Sequence, residues 1–106
     1  MAARDTHRRF AETRRGVHAR IVEELGSRIV AGLYPPGSAL PAEGDYSAQQ
    51  SVSRTSVREA VKALSGKGLV ESRPKTGTRV RPRSAWNMLD PDVVAWAFGT
   101  AGNRSY

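Results

Sequence analysis

Residues 52–69 read VSRTSVREAVKALSGKGL, and the rest of the chain is organised around them. Val57, Ala60, Val61 and Leu64 fall on one side of a helix and need a core, while Arg54, Arg58 and Lys62 recur every four residues as a basic flank. Ser53 can accept a backbone N–H from the first turn, which sets the helix start. Ser53, Arg54, Thr55, Ser56 and Arg58 thus gather at the beginning of an amphipathic helix. A DNA recognition helix uses that end to enter the major groove and reach base edges, while its apolar face anchors it. A solvated basic helix on any small protein has the same pattern, so the flanking sequence has to decide.

Downstream, Gly66 and Gly68 close the helix. Leu69–Arg73 has the composition of a strand, and Thr78–Arg81 that of its antiparallel partner, with Pro74-Lys75-Thr76-Gly77 between them and Pro82 as a stop. A hairpin with Arg73 on one strand and Lys75, Thr76 and Gly77 at its tip, directly after a recognition helix, has the character of a wing. Its basic residues favour phosphate contact over a purely structural role.

Upstream, Ala42–Gln50 makes a short helix with Glu43 and Asp45 near its positive end. Ser51 and Val52 supply a tight link, giving a helix-turn-helix. Leu33–Pro41, LYPPGSALP, is a connector that cannot be helical, with Leu40 pinning it to the core. Val17–Ala31 is the first helix: Val17, Ile21, Leu25 and Ile29 form a stripe widened by Val22 and Val30, Gly32 caps the end, and Gly26 weakens the interior. The expected fold is mainly α with a small β-hairpin, a winged helix-turn-helix over residues 17–83.

The two ends differ from this body. Residues 1–16 carry five arginines and one large apolar residue, Phe10, and are expected to form a flexible basic arm. Residues 84–106 are expected to be a linker and the start of a truncated helical effector-binding domain. There Asp90-Pro91-Asp92 is a strong helix start. Trp86, Val93, Val94, Trp96, Ala97 and Phe98 offer more apolar surface than a short terminal helix should leave in water, which implies a partner domain or subunit. Gly99–Tyr106 trails off without a core pattern, so the chain is expected to be cut short.

The chain carries a formal charge of +7, and its location matters more than its size. Residues 1–52 have 7 basic and 6 acidic side chains, residues 53–83 have 9 and 2, and residues 84–106 have 1 and 2. The excess sits in the basic helix and the hairpin after it, where neutralising phosphates would release condensed counterions. With no cysteine, no thiolate zinc site or disulfide framework is available. No apolar run reaches membrane-spanning length and no secretory signal opens the chain, so a cytoplasmic protein without membrane contact is expected. His7 and His18 lack ligand partners at suitable spacing, and neither paired carboxylates nor a phosphate-binding Gly-rich loop is present. The chain is therefore expected to be no enzyme and to hold no metal or cofactor. A winged helix that binds nucleic acid by charge alone, without reading sequence, is the alternative.

The stretch from Ile29 to Val80 resembles the DNA-binding domain of GntR-family bacterial transcription regulators. The resemblance runs through Ile29-Val30-Ala31-Gly32, Pro36-Gly37, Leu40-Pro41-Ala42-Glu43, Val52-Ser53-Arg54-Thr55, Val57-Arg58-Glu59-Ala60, Leu64, Gly68-Leu69-Val70 and Gly77-Thr78-Arg79-Val80, about half of the chain. Trp86-Asn87-Met88-Leu89-Asp90, with Asp92-Val93 and Trp96, is similar to the FadR-like subgroup and within it to the galactonate-operon repressor branch. The resemblance implies an operator-binding repressor of a sugar-acid catabolic operon. It further implies a homodimer in the full-length protein and a C-terminal domain, outside these residues, that senses a small carboxylate effector. It places Ser53, Arg54, Thr55, Ser56 and Arg58 on base- and phosphate-contacting positions and Lys75–Gly77 on the wing tip. One departure is Gly44, where many members carry a DNA-contacting arginine. Another is Tyr46, where a leucine is common. Either the operator preference differs or another residue, such as Arg28, supplies the contact.

Overall fold

The computed structural model describes the backbone of residues 2–104 and the side chains of residues 16–99. Helix α1 spans Ala2–Ala31, α2 Glu43–Gln50, α3 Arg54–Gly66 and α4 Pro91–Arg104; strands β1 (Val70–Arg73) and β2 (Gly77–Val80) form the hairpin. A single 3-10 turn, Arg83–Ala85, precedes α4. The winged helix-turn-helix expected from the sequence is the fold observed.

The apolar stripe of α1 behaves as its spacing requires. Ile21, Val22, Leu25, Ile29 and Val30 are buried against Val57, Ala60, Val61 and Leu64 of α3, in one core shared with Leu40, Leu69, Val70 and Val80. Gly32, at φ +89°, ends α1, and the Leu33 N–H turns back to the Arg28 carbonyl at 2.9 Å. The N-terminal boundary differs from expectation. Residues 2–16, within the 1–16 segment read from sequence as a flexible basic arm, continue α1 toward the N-terminus. Alanine, arginine and glutamate are good helix formers, and neither glycine nor proline interrupts residues 2–15. The side chains of residues 1–15, including His7 and the arginines of that segment, lie outside the described residues.

The connector does more than bridge α1 and α2. Its Gly37 N–H donates to the Val80 carbonyl at 2.8 Å, Val80 N–H donates to Ser38 at 2.9 Å, and Leu40 N–H donates to Thr78 at 2.9 Å. Ala39 thereby bridges Arg79 in antiparallel sense, and the inner edge of the wing is covered. The wing itself pairs Val70 with Val80, Glu71 with Arg79, Ser72 with Thr78 and Arg73 with Gly77.

Tyr46, where a leucine was the commoner choice, is buried, and its hydroxyl donates to Glu24 Oε1 at 3.2 Å. Burial, and then the Glu24 carboxylate, push that hydroxyl up to about 12. A phenol that reaches a carboxylate on α1 ties α2 to the first helix without leaving a polar group unsatisfied.

The C-terminal segment corrects one expectation. Trp86, Val93 and Trp96 do not face outward for a partner; all three are buried within the chain. The outer rim of the Trp96 ring lies against Gly26 of α1, where a Cβ would stand 2.8 Å from Cζ2 and closer still to two other ring atoms. Gly26 is therefore a slot for an indole, a reason for glycine that a helix-propensity reading does not contain. Trp86 donates its indole N–H to the Arg81 carbonyl at 3.0 Å. Leu89 and Phe98 remain exposed. The backbone of α4 also continues past Gly99 to Arg104, through the stretch that carries no core pattern.

Asp90 caps α4 as its position suggested, with Oδ1 accepting from the Asp92 N–H at 2.9 Å and the Val93 N–H at 3.2 Å. Lys67, the residue that ends α3, joins the same point: its Nζ lies 3.2 Å from Asp90 Oδ1, 2.7 Å from Asp92 Oδ2 and 5.9 Å from the Trp96 ring centre. Burial pulls the Lys67 ammonium down, but the two carboxylates outweigh it and hold it above its ordinary 10.5. Burial pushes Asp90 up, and the Lys67 ammonium with two backbone N–H groups outweighs that, holding it below its ordinary 3.8. An acid with a depressed folded value adds stability above its unfolded value, lost as pH falls through the folded one. A base with a raised folded value adds stability below its unfolded value, lost as pH rises through the folded one. Replacing Lys67 with methionine is expected to cost about 1–3 kcal/mol at neutral pH, because it leaves two carboxylates without their ammonium. In denaturant titrations the difference from wild type should stay level at neutral pH and shrink only below 3.8 or above 10.5.

Candidate nucleic-acid interface

Helix α3 is fixed by burial on one side and by its cap at the start. Ser53, at φ −74° and ψ 150°, accepts the Ser56 N–H at 3.0 Å and donates from its hydroxyl to Ser56 Oγ at 2.9 Å. That capping bond contributes about 1 kcal/mol and holds the first turn in register. Ahead of it, Ser51 takes the left-handed conformation (φ 55°), and Val52 N–H returns to Ser47 O at 3.1 Å, which swings the chain from α2 into α3 in three residues. With Val57, Ala60, Val61 and Leu64 buried, the opposite face presents Ser53, Arg54, Thr55, Arg58 and Lys62 to solvent, with Ser56 half-buried.

The three basic residues of that face do not act as one flank. Arg58 directs Nε to Glu43 Oε1 of α2 at 3.4 Å. Both terminal amino groups of its guanidinium stay available, and those are the groups a bidentate guanine contact needs. An exposed pair of this kind adds little stability, so its consequence is orientation. Lys62 lies 3.5 Å from Glu59 within the helix. Arg54 turns the other way, its guanidinium lying over Gly44 at the start of α2.

Arg58, Lys62 and Ser65 line an open groove with Glu43 of α2 and Ser72 of β1, so the exposed side of α3 and the base of the wing share one face. On the wing, Arg73 and Arg81 flank Glu71, at 3.5 and 3.8 Å. These exposed pairs are weak enough for a phosphate to displace. Lys75, Thr76 and Gly77 form the exposed turn between the strands, with Gly77 at φ +81°. Arg79 is half-buried and donates from Nη1 to the Gly37 carbonyl of the connector at 3.4 Å. Among the described residues no group of three metal-ligating side chains converges, and no helix is long and apolar enough to cross a membrane.

All ten residues singled out from the sequence, Ser53, Arg54, Thr55, Ser56, Arg58, Lys62, Arg73, Lys75, Thr76 and Gly77, fall on α3 or the wing. The reading missed the contribution of α2: Glu43 as the partner of Arg58 and Gly44 as the seat of Arg54. The sequence signals were the acids on either side of Gly44 and the departure that Gly44 itself makes from the family pattern, neither of which pointed to an arginine of α3.

A capped helix with a polar, basic leading end, set behind a tight turn and beside a basic hairpin, is the architecture of a winged-helix DNA-binding domain. Comparison with known proteins gives the family. The model of the bacterial regulatory proteins of the gntR family matches residues 18–80. The uncharacterized HTH-type transcriptional regulator YieP of Escherichia coli is 51% identical over 76 residues, covering 72% of this chain and 33% of its own. The galactonate operon transcriptional repressor of the same organism is 46% identical over 77 residues, covering 73% of this chain and 34% of its own. Among solved structures, the N-terminal domain of AraR in complex with ORR3 is 34% identical, with a TM-score of 0.58, over 60% of this chain and 91% of that one. A GntR-family regulator from Listeria monocytogenes, at 17% identity and a TM-score of 0.64 over 84% of this chain and 73% of that one, shares the fold. The chain belongs to the GntR family of bacterial transcription regulators. It spans about a third of the length of the two Escherichia coli relatives.

Proposed function

We propose that this chain is the sequence-specific operator-binding module of a metabolite-responsive repressor. Ser53, Arg54, Thr55, Ser56 and Arg58 read bases and adjacent phosphates in the major groove. Lys62, Arg73, Lys75 and Thr76 hold the phosphate backbone, and the Gly77 turn lets the wing approach it closely. The observation that carries this reading is the exposed leading end of α3, with Arg58 oriented by Glu43 and its terminal amino groups available, on the same groove as the wing. The likeness to the galactonate operon repressor supports a sugar-acid catabolic operon as the target. The full-length protein would then bind a palindrome as a homodimer in the cytoplasm and release it when a domain outside these residues takes up a small carboxylate.

A salt-dependent titration tests the reading. The preferred duplex is selected from a random pool, and its affinity is compared with that of a shuffled duplex of equal length at low and at physiological salt. Both affinities should fall with salt, by a slope of about 0.9 per phosphate contact, while the ratio between the duplexes persists. Equal affinities at both salts would instead assign the chain to charge-driven binding without base reading.

A further inference from the structure

Gly44 and Arg54 form a contact that neither helix explains alone. A Cβ added at residue 44 would stand 2.5 Å from Arg54 Nη2, 3.1 Å from Cζ and 3.3 Å from Nε. The guanidinium therefore packs against Gly44, with Nη2 in the space that a side chain at position 44 would enter. Gly44 does not have a positive φ, so backbone freedom is no reason for a glycine there, and alanine would be the better helix former. A cation at the positive end of a helix is also unfavourable unless acids offset it, and Glu43 and Asp45 stand on either side of Gly44. Arg28, the other candidate for a replacement contact, lies on α1 beside Glu24 at 3.6 Å and makes no such contact with Gly44.

We propose that Gly44 determines sequence specificity by seating Arg54. The missing side chain lets the guanidinium of α3's first residue occupy the place over α2 that an arginine at position 44 would fill, and Arg54 reads its base pair from there. The seat restricts a side chain that would otherwise sample many rotamers, so less freedom is lost when DNA binds. This inference rests on α3 being the base-reading helix.

The test is selection of preferred duplexes from a random pool by the wild-type chain, Gly44→Ala, Arg54→Ala and the double variant, with affinities measured for the wild-type site. The added methyl is small and alanine suits a helix, so Gly44→Ala should keep its circular dichroism and melting curve. Gly44→Ala should weaken binding to the wild-type site about tenfold, and its altered preference should fall at the base pair where Arg54→Ala erases preference. In the Arg54→Ala background, adding Gly44→Ala should change neither affinity nor preference. A Gly44→Ala protein that keeps the wild-type preference while Arg54→Ala loses it would overturn the seat and leave the base-reading helix intact. A wild-type chain with no preference at all would overturn both.

Discussion

Replacing Arg58 with alanine is expected to weaken binding to the preferred duplex by about 1–3 kcal/mol, roughly five- to 150-fold, with a far smaller loss on a shuffled duplex. The asymmetry follows from the geometry. Only Nε of Arg58 is engaged by Glu43, so the two terminal amino groups can form the paired hydrogen bonds that distinguish guanine. Truncation also leaves the Glu43 carboxylate without its cation, a repulsion against phosphates that falls on both duplexes alike and accounts for the smaller loss on the shuffled one. Replacing Lys75 should act differently, lowering affinity for both duplexes alike and reducing the salt slope by about one contact. Titrations of both variants on both duplexes separate base reading from charge. Equal losses for Arg58→Ala on the two duplexes would remove it from the base-reading set.

The second large effect concerns the closure of α4 on α1. Trp96→Ala is expected to lower the unfolding free energy by about 3–5 kcal/mol, since it removes a buried indole and leaves a cavity over Gly26. For a domain whose total stability lies in the range of about 5–15 kcal/mol, that is a large fraction. Gly26→Ala provides a test of sign. Helix propensity alone favours alanine by up to about 1 kcal/mol. The collision with the Trp96 ring should instead make the substitution destabilising by about 1–3 kcal/mol. In a Trp96→Ala background the ring is gone and the same substitution should become neutral or favourable. Denaturant midpoints for the four proteins of this cycle measure the coupling directly.

Local patterns carried the winged helix, because each element announces itself within a few residues. The four-residue spacing of Ile21, Leu25 and Ile29, the hydroxyl before Arg54, the Asp-Pro-Asp start of α4 and the Pro-Lys-Thr-Gly turn are short-range signals, and each found its place. Contacts between elements were illegible for a physical reason. The connector's pairing with β2, the Gly26 slot and the Lys67 junction link residues 23 to 70 positions apart, and no spacing rule spans such distances. The apolar residues around Trp96 were visible as a surface that needed covering. The sequence could not say that α1 of the same chain covers much of it, because the clue was an absent side chain at Gly26. The candidate interface divides in the same way. Ser53, Arg54, Thr55 and Arg58 stood out by composition, whereas the two α2 residues that orient the arginines, Glu43 and Gly44, act across fifteen and ten positions. Residues 1–16 were read as a flexible arm because apolar content is low there. The backbone of residues 2–16 follows helix propensity instead.

The central claim is that the leading end of α3, with the wing beside it, is the surface that meets DNA. Its most direct test is a residue-resolved nuclear magnetic resonance titration of the chain with its preferred duplex. The backbone amides of Ser53 to Lys62 and of Lys75 to Gly77 should shift most, while the indole N–H signals of Trp86 and Trp96 stay in place. Shifts concentrated on α4 around Leu89 and Phe98, with the start of α3 silent, would contradict it.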